Sequence, residues 1–206
     1  MKVILFNGSP HEHGAVDTAL CEIASQLKKH DIDSEIFWLG TGATHGCIAC
    51  GGCKETHHCV FDDDHVNRFI DLVNEADGLV LGAPVYYASP AGQAIAFLDR
   101  AFHAKKSFSF KVGAAIASCR RSGATATYDC LNKYFTISCM PVVPSNYWNN
   151  IHGNSAAEAR QDLEGLQTMR VLADNMAWML KSFAAAKSAG ILPPVTEPKI
   201  TTNLIH

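Results

Sequence analysis

Short runs of Val, Ile, Leu and Phe alternate along the chain with longer segments whose apolar positions recur at helical spacing, a pattern that predicts βαβ units and a parallel sheet. The first run is Val-Ile-Leu-Phe at 3–6. A helix is predicted over about 15–30, a strand at 35–39 and, past a cysteine-rich loop, a helix opened by Asp62, Asp63 and Asp64 that runs to about Glu75. A wholly apolar strand at 79–82 leads into a helix over about 90–102. A fourth strand at 112–118, a helix at 125–135 and a fifth strand at 140–143 complete the alternation. Five strands and five helices predict an α/β fold, a three-layer α/β/α sandwich.

The last predicted helix is long. Ser155 and Glu158 have capping-box spacing, and Leu163, Leu166, Met169, Leu172, Met176, Met179 and Phe183 form a stripe of helical period over about 157–187. Ala177, Trp178 and Ala184 to Ala186 spread the apolar surface beyond one face, which points to a partner. Gly190 and Pro193-Pro194 end the helix, so 1–190 reads as a single domain and 191–206 as an extended tail.

With 206 residues, 48% of them hydrophobic, the chain has material for a sizeable core, and its net charge of −3 gives no basic footprint for nucleic acid. No run is long and apolar enough for a signal peptide or a membrane span, so the expectation is a cytoplasmic protein with no membrane partner. In a reducing compartment its eight cysteines read as ligands, redox groups or buried hydrophobes rather than as a disulfide framework.

Half of them fall in Gly-Cys-Ile-Ala-Cys-Gly-Gly-Cys-Lys-Glu-Thr-His-His-Cys, residues 46–59. Cys47, Cys50, Cys53 and Cys59 are spaced to bring four thiolates to one iron–sulfur cluster. The same stretch could hold zinc with help from His57 or His58, act as a redox C-x-x-C pair, or be a glycine turn with incidental thiols.

Three other loops lie where an open parallel sheet binds ligands, beyond the carboxyl ends of its strands. Asn7-Gly8-Ser9-Pro10-His11-Glu12-His13-Gly14 joins the first strand to a helix and offers backbone N–H groups to an anion, without being a dinucleotide fingerprint or a P-loop. Pro84-Val85-Tyr86-Tyr87 follows the third strand and suits a flat aromatic ligand. Ser118-Cys119-Arg120-Arg121-Ser122-Gly123-Ala124-Thr125 follows the fourth and supplies cations in Arg120 and Arg121. An anion cradle, an aromatic floor and cations together make a nucleotide-like pocket.

Gly8-Ser9-Pro10 with Gly14, Ala76-Asp77-Gly78, Pro84-Val85-Tyr86, and Gly92 followed by Phe97-Leu98-Asp99-Arg100 resemble the NADPH-dependent FMN reductase family of flavodoxin-like proteins, over roughly 1–148. The resemblance implies a doubly wound five-stranded parallel sheet of order 2-1-3-4-5, non-covalent FMN, and a homodimer or homotetramer. By position it implies that Ser9 and His11 donate to the phosphate at the start of a helix formed by Val16, Asp17 and Thr18, with Asp17 turned outward. Pro84, Val85, Tyr86 and Tyr87 would line the ring, and Arg120, Arg121 and Gly123 would lie near its pyrimidine edge.

The implied activity is hydride transfer from NAD(P)H to FMN and then to a small-molecule acceptor such as a quinone or flavin, with no catalytic acid or base. Two alternatives share the fold: an iron–sulfur flavoprotein with a [4Fe–4S] cluster on Cys47, Cys50, Cys53 and Cys59, and a flavodoxin-type electron carrier, against which the modest charge weighs. Because many relatives resemble this chain in their cysteine loop without a cluster, the four thiols are expected to shape a tight loop beside the flavin pocket, buried or redox-sensitive and without a metal. Asp62 to Asp64 are expected to cap the helix that follows.

Overall fold

Val3, Ile4, Leu5 and Phe6 are all fully buried, because they form a central strand covered on both faces. A computed structural model describes residues 1–202 and 204. In chain order its elements are β1 (Lys2–Asn7), α1 (Ala15–Lys28), β2 (Asp33–Trp38), α2 (Cys53–Thr56), α3 (Val66–Glu75), β3 (Gly78–Tyr86), β4 (Ser89–Pro90), α4 (Gly92–Ala104), β5 (Val112–Cys119), α5 (Ala124–Thr136), β6 (Asn150–His152), α6 (Ala156–Ala159) and α7 (Leu163–Ser188). The strands pair in parallel in the order β2-β1-β3-β5-β6, and the two-residue β4 folds back antiparallel on the end of β3. Setting β4 aside, this is the flavodoxin order expected from the sequence.

Alternation along β1 builds two cores. Ile4 and Phe6 face one side, where Phe37, Phe69 and Phe97 pack with ring centroids 5.2–6.4 Å from Phe6 or from one another. Val3 and Leu5 face the other side, against Leu20 and Ile23 of α1 and Met169, Leu172 and Met176 of α7. Polar contacts also tie those two helices together: Asp174 accepts from Gln26 Nε2 and pairs with His30 Nε2, both at 2.7 Å.

Three expectations need correction. The predicted fifth strand at 140–143 is a single bridge between Gly113 and Val142. Met140 and Val143 are buried, which explains their apolar signal, but Pro141 and Pro144 have no N–H to give a ladder. The fifth parallel strand is instead Asn150–His152. The long terminal helix is two helices. Ser155 Oγ accepts from Glu158 N as the capping box requires, but α6 then stops, and Asp162 caps α7 by accepting from Gly165 N at 2.9 Å. Leu163 and Phe183, at the ends of the stripe, are exposed. Finally, α3 begins at Val66, and of the three aspartates it is Asp64 that accepts from Val66 N, at 3.1 Å. Residues 191–202 carry no helix or strand and are exposed, while tail residues 203, 205 and 206 lie outside the described residues.

Candidate functional site

The carboxyl ends of β1, β3 and β5 open into a hollow of about 430 Å³, within the usual range for small-molecule sites. The first loop forms one wall. Asn7 organises it by donating from Nδ2 to the Glu12 carbonyl (2.9 Å) and accepting from Ser9 N (3.1 Å). Ser9 Oγ accepts from His11 N, and Trp38 Nε1 donates to the Ser9 carbonyl. Gly8 is required here because its N–H meets the Gly82 carbonyl at 2.8 Å and an added Cβ would lie 2.8 Å from that oxygen. No side chain caps α1 at Gly14. The first N–H groups of a helix lack intrahelical partners, so this end presents donors and a positive dipole to the hollow.

A strained hairpin forms the opposite wall. Tyr86 pairs with Ser89 across a two-residue turn in which Tyr87 and Ala88 have φ of 51° and 57°. Positive φ at both central positions defines a type I′ turn, usually made by Asn-Gly. Each non-glycine residue held there costs about 1–3 kcal/mol. Gly123, with φ of 87°, sits beneath it, where an added Cβ would fall 2.8 Å from Val85 Cγ1 and 2.9 Å from Ala88 Cα.

Of the residues singled out from the sequence, Ser9, His11, Val16, Pro84, Val85, Tyr86 and Arg120 line the hollow. Asp17 and Thr18 do not; they face a neighbouring depression, where Asp17 pairs with His13 Nδ1 at 3.4 Å and Thr18 Oγ1 donates to the Gly14 carbonyl. Tyr87 is fully exposed, Arg121 is exposed outside the lining, and Gly123 supports the hairpin. A fourth stretch was missed: Gly153, Asn154, Ser155 and Ala156 close the hollow. The signal there was the capping box, legible as a helix start but silent about the cavity it faces. Cys119 also lines the hollow, and burial pushes its thiol pKa up, with Asp162 adding to the shift against a hydrogen bond from Arg121 N. It is therefore held protonated.

The cysteine loop makes a second, separate hollow. Cys47, Cys50, Cys53 and Cys59 all line one small cavity of about 20 Å³ with Phe61, Arg100 and His103, and no residue is shared with the first hollow. Cys47 and Cys50 are exposed and Cys53 and Cys59 partly buried, so of the expected buried or redox-sensitive thiols two are partly buried and two are open to solvent. Asn67 fixes Cys59 in both directions, accepting from its N–H at 2.7 Å and donating to its carbonyl at 3.0 Å. Arg100, whose side chain is fully buried, donates from Nε to Cys59 Sγ at 3.1 Å and is held by Asp64. Burial acts to lower the pKa of this guanidinium, but Asp64 and Cys59 outweigh burial and raise it.

Neither His57 nor His58 lines the cavity; His58 Nε2 is paired with Asp71 at 2.8 Å. Among the described residues no group of three or more His, Cys, Asp or Glu is arranged around one metal ion. A cuboidal cluster makes a different demand, since each of its irons takes one thiolate and the four sulfurs stand apart around it. Four cysteines lining one cavity match the ligand number of that demand, and one of them accepts from a buried cation. At about 20 Å³, however, the cavity has room for about one water and would have to open around a cluster. The first hollow fits a flavin mononucleotide: donors at one end, an aliphatic and aromatic wall, and a cation opposite.

Comparison with known proteins places the chain in a family. The family model described as NADPH-dependent FMN reductase matches residues 1–155. An iron–sulfur flavoprotein of Methanocaldococcus jannaschii is 31% identical over 190 residues, covering 88% of this chain and 98% of the relative. Among solved structures, RosB with a bound flavin intermediate superposes with a TM-score of 0.70 at 13% identity, over 100% of this chain and 93% of RosB. An archaeal flavodoxin superposes with a TM-score of 0.60 at 16% identity, over 88% of this chain and 99% of its own. At such identities the superpositions establish the fold. Among the described residues no helix is long and apolar enough to cross a membrane.

Proposed function

The chain belongs to the NADPH-dependent FMN reductase family, flavodoxin-like FMN-binding oxidoreductases, and on that premise we propose that it is an iron–sulfur flavoprotein, holding FMN in the larger hollow and a [4Fe–4S] cluster on Cys47, Cys50, Cys53 and Cys59. The observation that carries this reading is the convergence of all four cysteines on one cavity with Arg100 donating to Cys59 Sγ. Relatives that carry the name iron–sulfur flavoprotein add weight. Together they support the cluster as our reading, where the sequence favoured metal-free thiols.

Bound FMN would supply the chemistry, accepting electrons in a pair and releasing them singly. The chain's residues do the rest. The open N-terminus of α1 and the Ser9 hydroxyl hold the phosphate, with His11 as a further donor. Pro84, Val85 and Tyr86 cover one side of the ring, and the hairpin keeps them rigid. Arg120, which lines the hollow, would place positive charge near a bound ring, and positive charge there would favour its reduction. Asp17, Thr18, Tyr87 and Gly123 act from outside the lining by shaping the helix start and the turn, and Arg121 adds a positive charge at the surface nearby.

The description of the matching family favours a pyridine nucleotide, NADPH or NADH, as hydride donor, with a small-molecule acceptor downstream. We place the protein in the cytoplasm, as a homodimer or homotetramer without nucleic-acid or membrane partners, the exposed Trp178 and Phe183 of α7 supplying contact area.

Two measurements test this. FMN should bind the apoprotein about 10²-fold or more tightly than riboflavin, since two charge-assisted hydrogen bonds are worth about 3 kcal/mol or more together; equal affinities would remove the phosphate site. Protein prepared without oxygen should contain iron and sulfide in equal amounts, close to the stoichiometry of one [4Fe–4S] cluster per chain. Zinc without sulfide would instead make the loop a structural metal site. Anaerobic mixing with NADPH and NADH identifies the donor by bleaching of the flavin band.

A further inference from the structure

Arg100 lies on α4, far from the cysteine loop in sequence, yet its guanidinium is spent entirely on that loop. Nε donates to Cys59 Sγ at 3.1 Å, one terminal nitrogen donates to Asp64 Oδ2 and the other to Asp64 Oδ1 and the Phe61 carbonyl at 3.2 and 3.1 Å. The Phe61 ring lies 5.2 Å from the guanidinium carbon. The side chain is 0% exposed and that of Asp64 12%.

An ion pair with Asp64 would hold the loop without any bond to sulfur. The Nε–H to Sγ contact has another use. A neutral thiol is a weak acceptor and a thiolate a strong one, so this donor is worth most when Cys59 carries negative charge, as a cluster ligand does. Resting on the cluster reading above, we propose that Arg100, with Asp64 as its counter-charge, is a positioning residue that sets the reduction potential of the four-cysteine centre. The step concerned is the addition of one electron to the oxidised centre. No bond forms or breaks and no proton moves. The added electron deepens the negative charge on the sulfurs, and a buried N–H donor and cation favour it, as hydrogen bonds to cluster sulfurs do in general. Asp64 works in the opposite sense, so the pair defines a potential between the values that either residue alone would give.

The sign of each change separates this role from simple bracing. The full-length, cluster-loaded protein is titrated with dithionite in the presence of redox dyes, and the reduced centre is followed by electron paramagnetic resonance. Arg100→Gln should lower the potential so that the oxidised-to-reduced ratio at fixed solution potential rises about tenfold, which is about 59 mV for one electron. Asp64→Asn should move it the other way. Arg100→Lys, which keeps the charge but not the fork, should fall between wild type and Arg100→Gln. Equal potentials in wild type and Arg100→Gln, or shifts of Arg100→Gln and Asp64→Asn in the same direction, overturn the inference. If Arg100→Gln assembles no cluster, Arg100→Lys carries the test, and a potential equal to wild type overturns it. Wild-type protein with no iron and sulfide would refute the cluster reading itself, an outcome distinct from a loaded centre whose potential ignores Arg100.

Discussion

The two hollows are built from different materials. The larger one is made mostly by backbone: the end of α1, a turn held by positive φ, and a glycine packed beneath it. The cysteine cavity is made by side chains, and its stability rests on one buried guanidinium that reaches it from another helix. A backbone-built site is fixed once the sheet forms and tolerates many side-chain changes. A site braced by one buried ion pair fails at a single position.

The largest expected effect lies on that brace. Arg100→Leu leaves Asp64 as an uncompensated, mostly buried charge and should cost about 3–5 kcal/mol of unfolding free energy, read from urea denaturation of the apoprotein. Removing Asp64 as well, in Arg100→Leu/Asp64→Leu, should recover much of the loss. If the single variant is as stable as wild type, the contrast between the two sites breaks down.

Next is the turn. In Gly123→Val the new side chain would be driven into Val85 and Ala88 from a left-handed backbone position, at a cost of about 1–3 kcal/mol in overpacking. FMN affinity should fall with it while the iron content of the cysteine loop stays unchanged. Ser9→Ala is milder. Loss of one charge-assisted hydrogen bond should weaken FMN binding by about 1.5 kcal/mol, roughly tenfold, and leave riboflavin binding nearly unaltered in parallel calorimetry.

The smallest effect tests what holds α1, and hence the phosphate end of the larger hollow, in place. Burial acts to raise the Asp174 pKa, but hydrogen bonds from Gln26 and His30 outweigh burial and bring it below the ordinary value. A lowered carboxylate pKa contributes stability above the unfolded value, and that contribution is lost as pH falls through the folded value. Since the Asp174 side chain is 44% exposed, solvent screening holds the contribution below about 1 kcal/mol. Thermal unfolding should show a small acid-side loss that Asp174→Asn abolishes.

How much of this the sequence disclosed follows the same division. The backbone-built hollow was legible because strand, turn and helix are contiguous, so Asn7 to Gly14 and Pro84 to Tyr86 announce their geometry locally. Asp17 faces away from the hollow, as expected, and Thr18, Tyr87 and Arg121 also stand outside the lining, because one residue of helical or turn phase turns a side chain from the hollow to its outer face. The four cysteines were legible as candidate ligands from spacing. Arg100 was visible only as part of a motif, since nothing local connects it to Cys59, 41 positions away. The fifth strand was misplaced because burial at Met140 and Val143 imitates a strand where Pro141 and Pro144 forbid one. The break between α6 and α7 hinges on the Asp162 carboxylate, which the apolar stripe overran.

Both margins of the sheet bear on how copies of the chain meet at high concentration. β6 is three residues long, and β2, at the other margin, carries Asp33 and Glu35, the latter bound to Lys2 Nζ at 2.7 Å. Brevity on one side and charge on the other are the features that keep exposed strands from recruiting more strands. Molecules that collide along those margins find little to zip together. Any association of copies would then have to use the helical faces, where contacts can close on themselves.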